Sequence, residues 1–118
     1  KQVITDAVEL GNVKIAYLAG PCLAEVVKGV AFEIKASVKE NIIFLAATHE
    51  NQRPMLTVLI ADNLVSDSLN ASKIVREAAK LIQGGGGGQP HFAQAGGKNI
   101  DGLSAALDKM NELVRAGL

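Results

Sequence analysis

Five consecutive glycines, Gly84 to Gly88, run directly into Gln89-Pro90-His91-Phe92-Ala93-Gln94-Ala95-Gly96-Gly97-Lys98. Glycine loses more backbone freedom on folding than any other residue, at a cost of about 0.5–1 kcal/mol relative to alanine in a regular element. Five in a row forfeit ~3–5 kcal/mol, whereas a turn needs one or two. The run therefore implies that something lies against this backbone where Cβ atoms would obstruct it. A loop of unhindered N–H groups, with Lys98 just before a helix start, has the chemistry to hold a phosphate or carboxylate. The bland alternative is a chain that turns tightly under a neighbouring helix.

Neither common nucleotide motif accounts for the run. A Walker loop needs glycine, four residues, Gly-Lys and then Ser or Thr. Counting back from Gly97-Lys98 puts Phe92 at the first position, and Asn99 follows the lysine. A dinucleotide fingerprint opened by Gly84 and Gly86 would need its third glycine at Gln89, and it would follow a helix where a strand is required.

Lys73, Arg76 and Lys80 are spaced i, i+3, i+7 and share one stripe of a helix leading into the glycines. With Lys98 they make four basic side chains between residues 70 and 100, against the single acid Glu77. That is a local phosphate-facing patch in a chain whose twelve basic and twelve acidic residues cancel. The competing reading is a solvated helix face with a Lys73–Glu77 pair.

His91 could donate to a phosphate or a base, or be only a loop histidine. His49 falls in a polar stretch that reads as an exposed hairpin turn. Cys22 lies in the first turn of a helix, where a thiolate would be favoured, but no partner base can be assigned and it reads as inert. With His49 and His91 the only histidines, no Cys/His set has zinc spacing. No pair of carboxylates suggests acid–base work, and no Ser-His-Asp or Cys-His set is present. The residues describe a binding surface without catalytic machinery.

The elements that must position this surface alternate. Residues 1–12 are weakly patterned and read as a linker or the tail of a preceding element. Residues 13–118 then form one domain. Val13 to Leu18 reads as a strand with Val13, Ile15 and Tyr17 on one face. Pro21 suits the first turn of a helix whose stripe is Leu23, Val26, Val27, Val30 and Ile34, with Gly29 inside it for close packing on a sheet. Ile42–Ala47 and Met55–Ala61 read as a hairpin of buried strands.

Asp67 to Asn70 supplies capping chemistry for a helix over about 71–82, whose apolar stripe is Ala71, Ile74, Val75, Ala78 and Ile82, with Gly84 as its stop. Asn99 or Asp101 caps a last helix carrying Ile100, Leu103, Leu107, Met110 and Val114, and an extra strand fits near 91–95. The class is α/β or α+β: a small mixed sheet covered by helices, with a glycine-rich loop before the last helix.

Composition narrows the function. Aromatics are 3% with no Trp, which argues against a base-stacking platform for single strands. One cysteine fits a reducing compartment, and no run approaches the ~18–20 apolar residues of a membrane span. A chain opening at Lys1 reads as a cytoplasmic domain cut from something longer.

Gly84–Gly88 with Gln89-Pro90 and Ala93-Gln94-Ala95-Gly96-Gly97 resembles the signature of the C-terminal domain of alanyl-tRNA synthetase. In that family a glycine run is followed by a polar residue, Pro, two variable residues and Ala-Gln-Ala-Gly-Gly. A looser form occurs in the domain that follows the catalytic part of DHH-type phosphoesterases. This chain has Gln83 where the family commonly carries a glycine or small residue, Gln89 where it carries a base, and His91 where Asp is frequent.

The resemblance implies a non-catalytic, tRNA-binding domain of an alanine–tRNA ligase. Its partners would be alanine tRNA and the upstream aminoacylation and editing domains. ATP, magnesium and zinc would be used upstream, with no cofactor here and no membrane. The tRNA-facing set is then Lys73, Arg76, Lys80, Gly84, Gly85, Gly86, Gly87, Gly88, Gln89, His91, Gln94, Gly96, Gly97 and Lys98. Two other readings stand beside it: a substrate-binding domain of a phosphoesterase, holding the phosphate end of a short oligonucleotide, and a self-association module forming a homodimer.

Overall fold

The strand expected from Val13 extends through Gly20 to Pro21 as β2 (Val13–Pro21). Pro21 is therefore the last strand residue and not the first of a helix. The computed structural model describes residues 6–10, 12–21, 23–37 and 40–117. Cys22, half of the expected linker (1–5 and 11), residues 38 and 39 and residue 118 lie outside them. Asp6–Leu10, inside the stretch read as linker or tail, form β1 and pair antiparallel with β2, Val8 opposite Ile15. After β2 comes α1 (Ala24–Ser37), then β3 (Ile42–Glu50) beside β2 in parallel. A parallel neighbour needs a crossover, and α1 supplies it.

β3 and β4 (Arg53–Ile60) make the expected hairpin, but the ladder runs on through the polar stretch to Glu50 opposite Arg53. Only Asn51 and Gln52 form the turn, both with positive φ (54° and 68°). Two left-handed central residues give the turn whose twist matches that of the flanking strands. His49 is consequently a half-buried strand residue opposite Pro54, not an exposed turn residue.

Two further strands, β5 (Gly85–Gly88) and β6 (Phe92–Gly96), complete a six-stranded sheet of order β1-β2-β3-β4-β6-β5. The expected extra strand is thus present as β6. The expected glycine loop, in contrast, is a strand. α2 (Ala71–Ala79) and α3 (Leu103–Gly117) cover one face of the sheet and α1 covers part of the other.

Because helices lie on both sides, β3 is buried from Ile42 to Thr48 and reads as a continuous apolar run. The larger core joins Ile43, Leu45, Val58 and Ile60 to Ile74, Val75, Met110 and Val114. Tyr17 donates its hydroxyl to Asn111 Oδ1 at 2.6 Å, and Arg115 Nε donates to the same oxygen at 3.2 Å, fastening α3 to β2. The smaller core places Phe44 and Leu59 against Val27 and Ala31 of α1. Leu23 and Val26, expected on the buried stripe, stay 52% and 37% exposed. Gly29 faces open space, so it serves no close packing.

α2 begins at Asn70, whose Oδ1 accepts from the N–H groups of Ser72 (3.0 Å) and Lys73 (3.2 Å), an N-cap of the expected kind. The helix tightens into a 3-10 turn at Lys80–Ile82 and stops at Gln83, in the left-handed region at φ 54°, ψ 49°. Gly84 N–H then donates to Ala79 O at 2.9 Å. The stop is Gln83 and not the expected Gly84. A side chain in that conformation costs about 1–2 kcal/mol, so Gln83→Gly is expected to raise unfolding stability by about 1 kcal/mol, measurable by urea titration.

Candidate nucleic-acid interface

The apolar stripe of α2 turns Ile74, Val75 and Ala78 to the sheet, which leaves Lys73, Arg76 and Lys80 exposed on the outer side. Lys80 Nζ lies 3.3 Å from Glu77 Oε2, with the two side chains 71% and 51% exposed, a surface pair of little energetic weight. The bland alternative named Lys73 as that partner. Lys73 instead reaches the Asp67 carbonyl, at 3.5 Å.

The glycine strand runs beneath this helix. A Cβ placed on Gly87 would sit 3.4 Å from Arg76 Nε and 3.4 Å from Ser72 Oγ, so the guanidinium lies beside the bare backbone of β5. Of the stripe, Arg76 is the residue that adjoins the glycine run.

What lies against most of the glycines is the protein itself. A Cβ on Gly84 would fall on the carbonyl oxygen of Gly96. One on Gly86 would come within 2.5 Å of Ala95 Cα, and one on Gly88, at φ 155°, within 2.7 Å of the Phe92 carbonyl. Alternate residues of β5 are turned edge-on into β6, and no side chain fits between. Gly97 is constrained in the same way by Ile82. Gly85 differs, because a Cβ there would meet nothing within 4 Å.

The remaining residues expected at the site do not converge on one point. Gln89 and His91 lie in the turn between β5 and β6. Gln89 N–H donates to Phe92 O at 2.8 Å, Pro90 O accepts from Ala71 N, and His91 O accepts from Ile60 N, both at 2.8 Å. That turn is therefore tied to the start of α2, close to Lys73. Lys98 is at the other end of β6, its N–H donating to Ile82 O at 2.8 Å, beside the turn that contains Lys80. Five strand residues, roughly 15 Å, separate the two ends. Along the sheet edge the turn holding His91 thus lies by the start of α2, Gly87 lies beside Arg76, and the backbone of Lys98 meets the end of the Lys80–Ile82 turn.

Gln94 and Gly96 turn away from the basic stripe. Gln94 Nε2 donates to Thr57 Oγ1 at 3.2 Å, with Met55 Sδ at 3.9 Å, on the face that α1 partly covers. Ala93 and Ala95 alternate with it and point to α2.

On Gln94's side a groove of about 730 Å³ opens between the β3–β4 hairpin and the glycine hairpin, lined among others by His49, Arg53, Met55, Gly85, Gln94 and Gly96. The sequence carried no signal for it beyond the polar stretch 48–53, which reads as a turn. Among the described residues no three His, Cys, Asp or Glu side chains come together as metal ligands, and no helix is long and apolar enough to cross a membrane.

The model of the DHHA1 domain family matches residues 11–116. Over 113 residues the chain is 50% identical to the alanine–tRNA ligase of Bacteroides thetaiotaomicron, and over 114 residues 44% identical to that of Parabacteroides distasonis. These alignments take in 96% and 97% of this chain but 13% of each relative. The crystal structure of the C-Ala domain from Aquifex aeolicus alanyl-tRNA synthetase superposes with a TM-score of 0.78 at 22% identity, covering 93% of this chain and 98% of that one. The DHH domain of a member of a ribosomal-protein family superposes at 0.63 and 15% identity, over 93% of this chain and 28% of that one. Both share its fold.

Proposed function

Because the chain belongs to the DHHA1 domain family, we propose that it is the C-terminal domain of an alanine–tRNA ligase and that it holds alanine tRNA for the upstream aminoacylation and editing domains. The observation that carries this reading is the strip of exposed Lys73, Arg76 and Lys80 beside a glycine edge strand. RNA phosphates engage the three cations. The outward peptide groups of β5, which have no strand neighbour among the described residues, lie close to the same backbone. Such contacts read shape and position, not base sequence. The domain is non-catalytic: ATP, magnesium and zinc act in the upstream domains, in the cytoplasm. Tethering raises the local concentration of the strip, so weak intrinsic affinity suffices.

Titration of the chain with alanine tRNA at two salt concentrations, beside the triple variant Lys73/Arg76/Lys80→Ala, tests this. Each lost phosphate contact removes about 0.7–0.9 from the slope of log K against log salt. The variant is therefore expected to bind more weakly, with a slope shallower by about 2–3. Equal, salt-insensitive binding by both proteins would sink the strip as an RNA surface.

A further inference from the structure

Two glycines that the fold does not require are paired across the open end of the glycine hairpin, at the groove on the α1 side. Gly85 and Gly96 are cross-strand partners and both line it. Neither has a positive φ. A Cβ on Gly85 would meet nothing within 4 Å, and one on Gly96 only the Pro54 carbonyl at 3.8 Å. Gly84, Gly86 and Gly97 are held by collisions a few residues away. Gly85 opens β5 and Gly96 closes β6, and a glycine that its own backbone does not ask for leaves room for the close approach of another group.

The surroundings specify a planar, hydrogen-bonding occupant. Gly96 alternates with Ala95 and so faces the groove together with the half-buried Met55 and Gln94, Met55 being its partner on β4. A thioether beside bare peptide planes suits an aromatic ring. Gln94 donates through Nε2 to Thr57, while its carboxamide oxygen accepts no hydrogen bond from the described residues. On the rim, Arg53 is exposed and stands opposite Glu50 in register. Mixed charge suits donors and acceptors on a ring edge better than a bare anion. A volume of about 730 Å³ is of the size that holds a small molecule.

We propose that this groove takes one unstacked nucleobase, laid over Gly85 and Gly96 against Met55, with its edge on Gln94 and its phosphate at Arg53. The assignment rests on the RNA-binding reading and extends it. The strip lies on the α2 side of the sheet and the groove on the other. The side-chain-free edge of β5 between them lets one RNA strand pass from phosphate contacts to base contact.

The four nucleoside 5′-monophosphates and inorganic phosphate, each titrated into the chain, test the groove through the backbone amide resonances of Gly85 and Gly96 and the Gln94 side-chain amide. At least one nucleotide is expected to shift all three, while phosphate alone leaves them in place. Gly96→Leu, which fills the floor, should abolish the shifts with thermal unfolding unchanged. Gln94→Ala should weaken binding about tenfold and stands in if Gly96→Leu does not fold. Lys73/Arg76/Lys80→Ala should bind mononucleotide like the parent, so a failed strip and a failed groove are told apart. The proposal is overturned if no nucleotide moves these resonances, if phosphate alone reproduces the shifts, or if both groove variants bind as the parent does.

Discussion

Gly86→Val is expected to destabilise the fold by about 3 kcal/mol, a fall of roughly 10 °C in melting temperature, while Gly85→Val leaves melting nearly unchanged. The two residues are adjacent in a run of identical side chains, so composition and propensity predict the same effect at both. Geometry separates them. A Cβ on Gly86 would overlap the Gln94 carbonyl and approach Ala95 Cα to 2.5 Å and Ala95 Cβ to 2.7 Å. These are backbone and near-backbone atoms of the partner strand, which cannot swing aside as the end of a flexible side chain can. Relief requires β5 to separate from β6, losing the ladder between Gly85↔Gly96 and Gly88↔Ala93. At Gly85 the same atom enters open space, and a β-branched residue suits a strand. Differential scanning calorimetry of the two variants decides it. Equal melting temperatures would remove the steric account of the glycine run.

Phe44→Ala is expected to cost about 3–5 kcal/mol in urea denaturation. Phe44 is fully buried and is the largest side chain of the smaller core, beneath α1. Its companions include Ala16, Ala31 and Ala46, which are too short to reach into the space a deleted ring leaves. α1 packs on β3 and β4 and, among the residues whose burial is described, offers only Val27 and Ala31 as fully buried, so this layer has few other contacts to hold it. Phe32, tilted against Phe92 with ring centroids 5.5 Å apart, is itself 49% exposed and compensates little. Amide exchange in α1 should accelerate ahead of that in α2 in the same variant. A loss below about 1 kcal/mol would mean that α1 is not held by this core.

Elements with a strong apolar run or a helical side-chain period were legible in the sequence. The apolar runs from Ile42 and from Met55 are β3 and β4, and the Ile74, Val75, Ala78 stripe is α2 with the cap at Asn70. The Gly84–Gly97 signature pointed to a family, and a DHHA1 family match over residues 11–116 agrees with it.

Legibility ended where period or locality failed. Four glycines carry no alternation, so nothing in Gly85–Gly88 distinguishes strand from loop until β6 lies alongside. Asp6–Leu10 are likewise a strand only because β2 supplies the partner. At Gln83 the left-handed helix stop fell one residue before the glycine that local preference favours.

The same division runs through the candidate site. The sequence alone determined that Lys73, Arg76 and Lys80 share a helix face leading into the glycines, because helical spacing is a local property of the chain. Only the tertiary structure decided that the run is an edge strand, that most of its glycines answer to the neighbouring strand, and that Gln94 and Gly96 look away from the basic strip into a groove shared with Arg53 and Met55. Strand pairing sets which face each residue presents, and it joins segments far apart in the chain. No local pattern encodes that register; it emerges when the two hairpins pack into one sheet.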